Sequence, residues 1–133
     1  MMVGYAYVVG DIIHEGHLLH LRNCKKLCDK LIVGVLTDEA VMEKKPRPTM
    51  AFAERIQVIA ALQYVDAAVA QESYYPYKNV TAMGIDILFE SMDHDLAETM
   101  LLLEEEGFKG RVMPMPYYPE QSSSKIKRKI KNG

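Results

Sequence analysis

The sequence has few features of secreted, membrane-spanning or polyanion-binding proteins. It has only two cysteines in 133 residues, and no apolar run approaches the 18 residues of a transmembrane helix. The first residues contain no basic segment and no cleavage site of a signal peptide. Basic residues number 16 and acidic residues 18, which argues against a general nucleic-acid-binding surface. We therefore expect a cytoplasmic protein that binds neither nucleic acid nor membrane.

The two cysteines, Cys24 and Cys28, are four residues apart within a helical pattern. This spacing places both thiols on one helix face, where we expect free thiols rather than a disulfide bond. No second cluster of cysteine and histidine with zinc-ligand spacing accompanies them. We therefore expect no protein metal site here.

Length and composition indicate one globular domain. The chain has a mass of 15.1 kDa, with 49% hydrophobic and 26% charged residues, so it is long enough to bury a core without disulfide or metal cross-links. We find no internal repeat and no low-complexity linker. The prediction is a single domain over residues 1–133.

Strand-like and helix-like apolar patterns alternate along the chain. The predicted strands are Val3–Val9, Leu31–Leu36, Asp66–Ala70, Asp86–Phe89 and Arg111–Met115. The predicted helices are Gly16–Cys28, Phe52–Leu62, Leu96–Glu106 and Ser123–Lys131. This alternation predicts an α/β fold: a Rossmann-like, doubly wound parallel sheet of about five strands with helices on both faces.

Two loops and one histidine motif are the candidates for a site. In such sheets ligands bind at the carboxyl ends of the strands, where we place the segments 43–49 (EKKPRPT) and 114–124. The segment Gly10–His17 (GDIIHEGH) follows the first strand and opens the first helix, whose amino end favours phosphate. His14 and His17 could donate hydrogen bonds to phosphate oxygens, or they could be surface histidines near a helix cap. A zinc site would need a third ligand that the sequence does not suggest.

Several segments in register resemble one enzyme family. The pattern D-x-x-H-x-G-H at Asp11–His17 resembles the H-x-G-H signature of the nucleotidylyltransferase superfamily. The segments Val33–Glu39, Glu43–Lys45 with Ala53–Arg55, Tyr64–Asp66 and Ser122–Lys127 look like successive elements of the small cytidylyltransferases. The pattern is most similar to glycerol-3-phosphate cytidylyltransferase and to phosphonate-pathway cytidylyltransferase domains.

The resemblance implies transfer of CMP from CTP to the phosphate or phosphonate oxygen of a small acceptor, with release of pyrophosphate. Catalysis of this kind rests on positioning and electrostatics. The implied partners are CTP and that acceptor. Mg²⁺ would be bound mainly by the CTP phosphates rather than by a protein metal site. The small members of the family are homodimers, so the resemblance implies a homodimer here.

The same resemblance assigns roles to individual residues. His14, His17 and Lys44 would be catalytic. The residues that would bind the nucleotide or its phosphates are Val9, Gly10, Asp11, Gly16, Arg55, Ser122, Ser123 and Ser124. Weaker candidates for contacts to the acceptor or the base are Thr37, Asp38, Asp93 and Tyr117.

Each of these roles has a simpler alternative. Lys44, Lys45 and Arg47 could form a solvated basic loop, and Arg55 could pair with Glu54 or another nearby carboxylate. The serines at 122–124 could only cap a helix. The basic C-terminal segment is more typical of a solvated helix than of a nucleic-acid or membrane contact.

The sequence also departs from the family pattern. Gly10 replaces a usual aromatic residue, the segment 90–95 (ESMDHD) replaces a G-D-D-W-like loop, and Tyr117 lies where an arginine-bearing element is expected. These departures leave the acceptor and the nucleotide open. The alternatives are an adenylyltransferase on the same scaffold and a non-catalytic nucleotide-binding or regulatory domain.

Overall fold

A parallel sheet forms the centre of the computed structural model, which describes residues 1–91 and 96–116. Within these residues the strands are Val3–Val8 (β1), Lys30–Leu36 (β2), Ala67–Gln71 (β3), Ile87–Ser91 (β4) and Arg111–Met115 (β5). The helices are Glu15–Lys26 (α1), Asp38–Met42 (α2), Phe52–Ala60 (α3), Tyr77–Ala82 (α4) and Leu96–Glu105 (α5). The strand order is β3-β2-β1-β4-β5, with every pair parallel. The predicted five-stranded doubly wound fold is confirmed.

The sequence analysis missed the two shortest helices, α2 and α4. Helix α2 is a single turn and a half, whose amino end is capped by the Thr37 hydroxyl accepting from the backbone of Ala40 at 3.1 Å. Helix α4 buries only Val80 and has no side-chain cap. Helices this short are not stable alone, so their formation depends on packing against the sheet. The predicted helix Ser123–Lys131 lies outside the described residues.

Both faces of the sheet are covered, as the continuous apolar run of β2 predicts. On one face, Val33 and Val35 pack with Leu21 of α1 and Ile59 of α3. On the other face, Tyr5 and Ile32 pack with Val80 of α4 and Leu103 of α5, together with Leu88 of β4. Cys24 is buried in the first core and Cys28 is partly buried, and both are free thiols as expected.

A buried hydrogen-bonded network crosses the sheet from β1 to β3. The Tyr5 hydroxyl donates to Oε1 of Gln71 at 2.6 Å and accepts from Nδ2 of Asn79 at 3.0 Å. The Tyr5 side chain passes over Gly34 of β2, where an added Cβ would overlap the hydroxyl oxygen. The Gln71 amide donates in turn to the carbonyls of Ser73 and Tyr74, both at 3.1 Å. The network therefore shapes the loop that follows β3.

The direction of winding reverses beside β1. From β1 the chain proceeds through β2 to β3 on one side, and it then returns to β4 and β5 on the other side. The carboxyl ends of β1 and β4 thus form the topological switch point, the usual ligand crevice of open α/β sheets. The histidine motif follows β1 directly, so the fold places it at this crevice.

Candidate active site

The histidine motif forms the amino end of helix α1. His14 is the N-cap residue in an extended conformation, and its Nδ1 accepts a hydrogen bond from the backbone N–H of Gly16 at 3.0 Å. Nδ1 of His17 accepts from the backbone N–H of His14 at 3.3 Å. The two histidines therefore make a reciprocal capping box, a role usually filled by serine or threonine with glutamate. Gly10 precedes them at a φ of 75°, which favours glycine.

These backbone hydrogen bonds determine where the imidazole protons lie. A neutral imidazole has one N–H and one acceptor nitrogen. Because Nδ1 is the acceptor in both His14 and His17, the proton of each ring belongs on Nε2. Nε2 of His14 is buried and has no hydrogen-bond partner among the described residues. The site therefore presents a buried N–H donor at the positive end of a helix, an arrangement suited to a phosphate oxygen.

Burial keeps the histidines of helix α1 neutral. Desolvation lowers the pKa of His17 to about 4, with smaller contributions from His14 and His20. Desolvation also lowers the pKa values of His14 and His20, and for His20 the charge of Glu90 acts in the opposite direction. The rings of His14 and His17 lie close together, with centroids 4.1 Å apart. At neutral pH both rings therefore act as uncharged hydrogen-bond donors.

Asp11 connects the histidine motif to the loop that precedes α3. Its carboxylate is buried and accepts the backbone N–H groups of Thr49 at 2.9 Å and Met50 at 2.8 Å. The segment 43–49, called the basic loop below, is thereby anchored beside the histidines at its far end. The predicted contact of Asp11 with the nucleotide stays a prediction.

Arg55 is part of the framework rather than of an open phosphate site. Its side chain is fully buried and donates to the carbonyl oxygens of Val9 at 2.5 Å, Leu36 at 2.8 Å and Met50 at 3.0 Å. It also donates to Oδ1 of Asp38 at 2.6 Å. This geometry offers no exposed guanidinium surface to a phosphate, contrary to the predicted role, and favours the alternative of pairing with a nearby carboxylate. Burial inside the α3 packing could not be read from the sequence.

The predicted acceptor or base contacts at Thr37 and Asp38 also have structural partners. Thr37 caps α2 with its hydroxyl, and Asp38 receives the guanidinium of Arg55. Val9 contributes its carbonyl to the same guanidinium. Through Arg55, Val9 and Asp38 connect the carboxyl ends of β1 and β2. The predicted substrate contacts of these residues stay predictions.

The basic loop is exposed and extends from the end of α2 towards Asp11. Lys44 and Lys45 are both exposed, and Arg47 makes a 4.0 Å contact with Asp38. Nζ of Lys44 lies 5.7 Å from the centroid of the Tyr75 ring. The structure therefore places Lys44 at the carboxyl edge of the sheet, as predicted, beside an aromatic residue that the sequence analysis did not identify.

Two groups at this edge were missed by the sequence analysis. The first is the tyrosine cluster, formed by Tyr74, Tyr75 and Tyr77 in the loop after β3 and the start of α4. The second is the pair in which the half-buried Tyr7 donates its hydroxyl to Oε1 of the buried Glu90 at 2.6 Å, across β1 and β4. Burial and the charge of Glu90 raise the pKa of Tyr7. Two features of the sequence could have indicated these groups: the run of tyrosines after β3, and a glutamate that follows the apolar residues of β4.

Several predictions concern residues outside the described part of the chain, namely Asp93, Tyr117 and the serines at 122–124. Among the described residues, no group of three or more His, Cys, Asp or Glu side chains could hold a metal ion. In the same residues, none of the helices has both the length and the apolar character needed to cross a membrane.

Comparisons with known proteins agree with this arrangement. Residues 10–129 match the family model described as cytidylyltransferase-like. The FAD synthase of Methanoculleus marisnigri is 34% identical over 126 residues, which cover 92% of this chain and 84% of that protein. The bifunctional protein HldE of Citrifermentans bemidjiense is 32% identical over 122 residues, and there the chain spans only a quarter of the relative's length.

Solved structures give the same result at the level of the fold. The lipopolysaccharide core biosynthesis protein from Thermoplasma volcanium superposes with a TM-score of 0.82 at 28% identity, over 89% of this chain and 98% of that one. A pantoate-beta-alanine ligase from Francisella tularensis superposes with a TM-score of 0.61 at 14% identity, over 98% of this chain and 69% of that one, which supports the fold alone. The resemblance to glycerol-3-phosphate and phosphonate cytidylyltransferases thus holds for the family, and its finer part stays a prediction.

Proposed function

Because the chain belongs to the cytidylyltransferase-like family of nucleotidyltransferases, we propose that it transfers AMP from ATP to the phosphate of a small phosphorylated acceptor. The buried Nε2 of His14, a donor without a partner among the described residues, is the observation on which the phosphate chemistry rests. In this reaction an acceptor phosphate oxygen attacks the α-phosphorus, the bond to the bridging oxygen breaks, and pyrophosphate leaves with the bonding electrons.

The described residues suit the charge changes of this reaction. The Nε2–H groups of His14 and His17 would donate to triphosphate oxygens on which negative charge increases. The amino end of α1 adds its partial positive charge. Mg²⁺ bound to the triphosphate would neutralise part of that charge. The described residues provide no carboxylate cluster to hold it, so its ligands would be phosphate oxygens and water.

The choice of adenylyl over cytidylyl transfer rests on the relatives. FAD, the product named for the Methanoculleus marisnigri relative, of which the matched region covers 84%, contains an adenylyl group. The resemblance of the sequence to small cytidylyltransferases favours CTP, with ATP as the alternative. The family name alone does not distinguish between them, so the nucleotide must be tested directly.

The test is transfer of radiolabel from each α-³²P-labelled nucleoside triphosphate to an acceptor panel, with pyrophosphate release measured in parallel. The panel contains glycerol 3-phosphate, phosphoethanolamine, phosphocholine, 2-aminoethylphosphonate, 2-hydroxyethylphosphonate, flavin mononucleotide and a sugar 1-phosphate. We expect an acceptor-dependent adduct with ATP. An adduct with CTP alone would replace our proposal by cytidylyl transfer. Triphosphate binding without any transfer would replace it by a non-catalytic nucleotide-binding domain.

A further inference from the structure

Lys44 has an unusual environment for a residue expected to contact phosphate. It lies in the exposed basic loop, and among the described residues its ammonium makes no ion pair. The ammonium lies over the face of the Tyr75 ring, 5.7 Å from the ring centroid. A cation at this distance from an aromatic face is attracted by about 0.5–1 kcal/mol at an exposed site.

The Tyr75 ring is held from several sides. Tyr77 stacks on it with centroids 5.4 Å apart and an angle of 4° between the rings. Tyr74 packs edge-on against it, with centroids 5.2 Å apart and an angle of 79°. Gln71 fixes the backbone of the preceding residues through Ser73 and Tyr74. The ring is therefore connected, through Gln71 and Tyr5, to the centre of the sheet.

The basic loop is attached at both ends to this framework. At its start, Oε1 of Glu43 accepts the backbone N–H of Tyr74 at 3.3 Å. At its other end, the N–H groups of Thr49 and of the next residue, Met50, donate to the carboxylate of Asp11, which lies three residues before His14. The loop thus spans the distance from the tyrosine cluster to the histidine motif, and Lys44 lies at the tyrosine end.

We propose that Tyr75 is a positioning residue that holds the ammonium of Lys44 at the carboxyl edge of the sheet for the phosphate groups of the substrates. This inference rests on the proposed function, which assigns Lys44 to phosphate binding. A flexible lysine side chain loses rotamer entropy when it is fixed, so a partner that restricts it before the substrate binds lowers the entropic cost of the phosphate contact. A carboxylate partner would also restrict it, but would neutralise its charge and compete with phosphate. An aromatic face restricts the ammonium and leaves the charge available.

The proposal distinguishes between two substitutions at one position. Tyr75→Phe keeps the aromatic face and removes only the hydroxyl, whereas Tyr75→Leu removes the face and leaves a smaller apolar side chain. We expect kcat/KM to fall roughly 2- to 5-fold in Tyr75→Leu, which corresponds to the cation–π attraction, and to stay close to the wild-type value in Tyr75→Phe. Equal losses in the two variants would overturn the proposal.

A double-mutant cycle tests whether Tyr75 acts through Lys44. We expect Tyr75→Leu to have no further effect on kcat/KM in a Lys44→Ala background. A loss that persists undiminished in that background would mean that Tyr75 contacts the substrate or only supports the fold, and would overturn the proposal. Lys45→Ala is the matched control, because it removes the neighbouring exposed lysine and should leave the effect of Tyr75→Leu unchanged.

A measurement that is independent of activity separates this inference from the proposed function. The ε-methylene signal of Lys44 in a ¹H–¹³C NMR spectrum, assigned with Lys44→Ala, should be shifted upfield by the ring. We expect the shift in the wild type and in Tyr75→Phe, its loss in Tyr75→Leu, and its decrease when ATP is added. If the shift is absent from the wild type, the proposal fails even where transfer occurs. If the shift is present and no nucleotide is transferred, only the proposed function fails.

Discussion

The proton positions of His14 and His17 depend on backbone groups rather than on acidic side chains. Each Nδ1 accepts a backbone N–H within the capping box, which places the remaining proton on Nε2. The same contacts stabilise the start of α1. Helix capping therefore occupies one ring nitrogen, Nδ1, and leaves the opposite nitrogen, Nε2, for the proposed phosphate contact.

Asparagine at position 14 separates these two uses. It is one of the best N-cap residues, so His14→Asn should keep the thermal stability within about 1 kcal/mol of the wild type. It has no counterpart of Nε2–H, so kcat should fall by about 100-fold, the scale for one donor to developing charge. Steady-state kinetics and thermal unfolding together check this. Unchanged turnover in a folded His14→Asn protein would contradict the catalytic assignment.

The lowered pKa of His17 predicts an acid-sensitive fold. The folded pKa of about 4 lies below the ordinary value of 6.5, so the unfolded chain binds the proton more readily. Above pH 6.5 the ring is neutral in both the folded and the unfolded chain, and the fold keeps its full stability. As the pH falls from 6.5 towards 4, the unfolded chain takes up the proton first, and the free energy of unfolding decreases. Between pH 7 and pH 5 we expect the free energy of unfolding to fall by about 1–2 kcal/mol from this group. Denaturant unfolding at a series of pH values measures this effect. The free energy of unfolding should depend less on pH in His17→Asn than in the wild type.

At the scale of elements, one buried guanidinium joins the carboxyl ends of β1 and β2 to helices α2 and α3. Arg55 of α3 donates to the carbonyl of Val9, just after β1, to that of Leu36, the last residue of β2, and to Asp38 at the start of α2. Buried backbone carbonyls need a hydrogen-bond donor, so a donor that reaches both of them stabilises the crevice wall. The site's geometry therefore depends on a residue that has no exposed surface.

Two arginines contact the same carboxylate and provide a matched comparison. Arg55 is fully buried, whereas the side chain of Arg47 is 76% exposed and lies 4.0 Å from Asp38. Arg55→Met should destabilise the protein by about 3–5 kcal/mol, because it leaves Asp38 and several carbonyls without their donor. Arg47→Met should change stability by less than about 1 kcal/mol. Denaturant unfolding measures both, and similar values for the two variants would contradict the framework role.

At the scale of the whole molecule, the Tyr5, Gln71 and Asn79 network connects β1, β3 and α4 across the intervening strand β2. The network requires that no side chain occupy position 34, because Tyr5 passes over it. It also determines the backbone of the loop that carries the tyrosine cluster. A few polar groups thus connect the core to the loop with the tyrosine cluster, at the carboxyl edge of the sheet.

A methyl group at position 34 tests this coupling. Gly34→Ala would displace the Tyr5 hydroxyl from Gln71, which adds overpacking to the loss of a buried hydrogen bond. We expect destabilisation of about 2–4 kcal/mol, together with a weaker ring-current shift at Lys44. Thermal unfolding and the NMR signal of Lys44 report the two effects. A stable Gly34→Ala protein with an unchanged signal would contradict the described course of Tyr5.

Assembly, localisation and the absence of nucleic-acid or membrane partners stay predictions at this scale. The predicted homodimer rests on the resemblance to small family members. Within the helices and strands that the structure describes, the apolar side chains with the highest exposed fraction are the neighbouring Met100 and Leu101 of α5. Light scattering compared with the 15.1 kDa chain mass would decide the oligomeric state.

The sequence alone was enough to predict the alternating strands and helices, the parallel sheet and the position of His14 and His17 at the start of α1. Each of these depends on neighbours within one element, where hydrophobic periodicity and capping preferences are local. It did not reveal the short helices α2 and α4, whose formation depends on packing against the sheet.

Only the tertiary structure determines which groups Arg55, Glu90 and Tyr75 contact. Glu90 meets Tyr7 across 83 residues of sequence, and Arg55 meets the carbonyl of Val9 across 46. Such pairs form only because the strand order places β1 between β2 and β4. A side chain's burial and its partner depend on which elements lie beside it, and that arrangement results from the packing of the whole chain rather than from any local pattern.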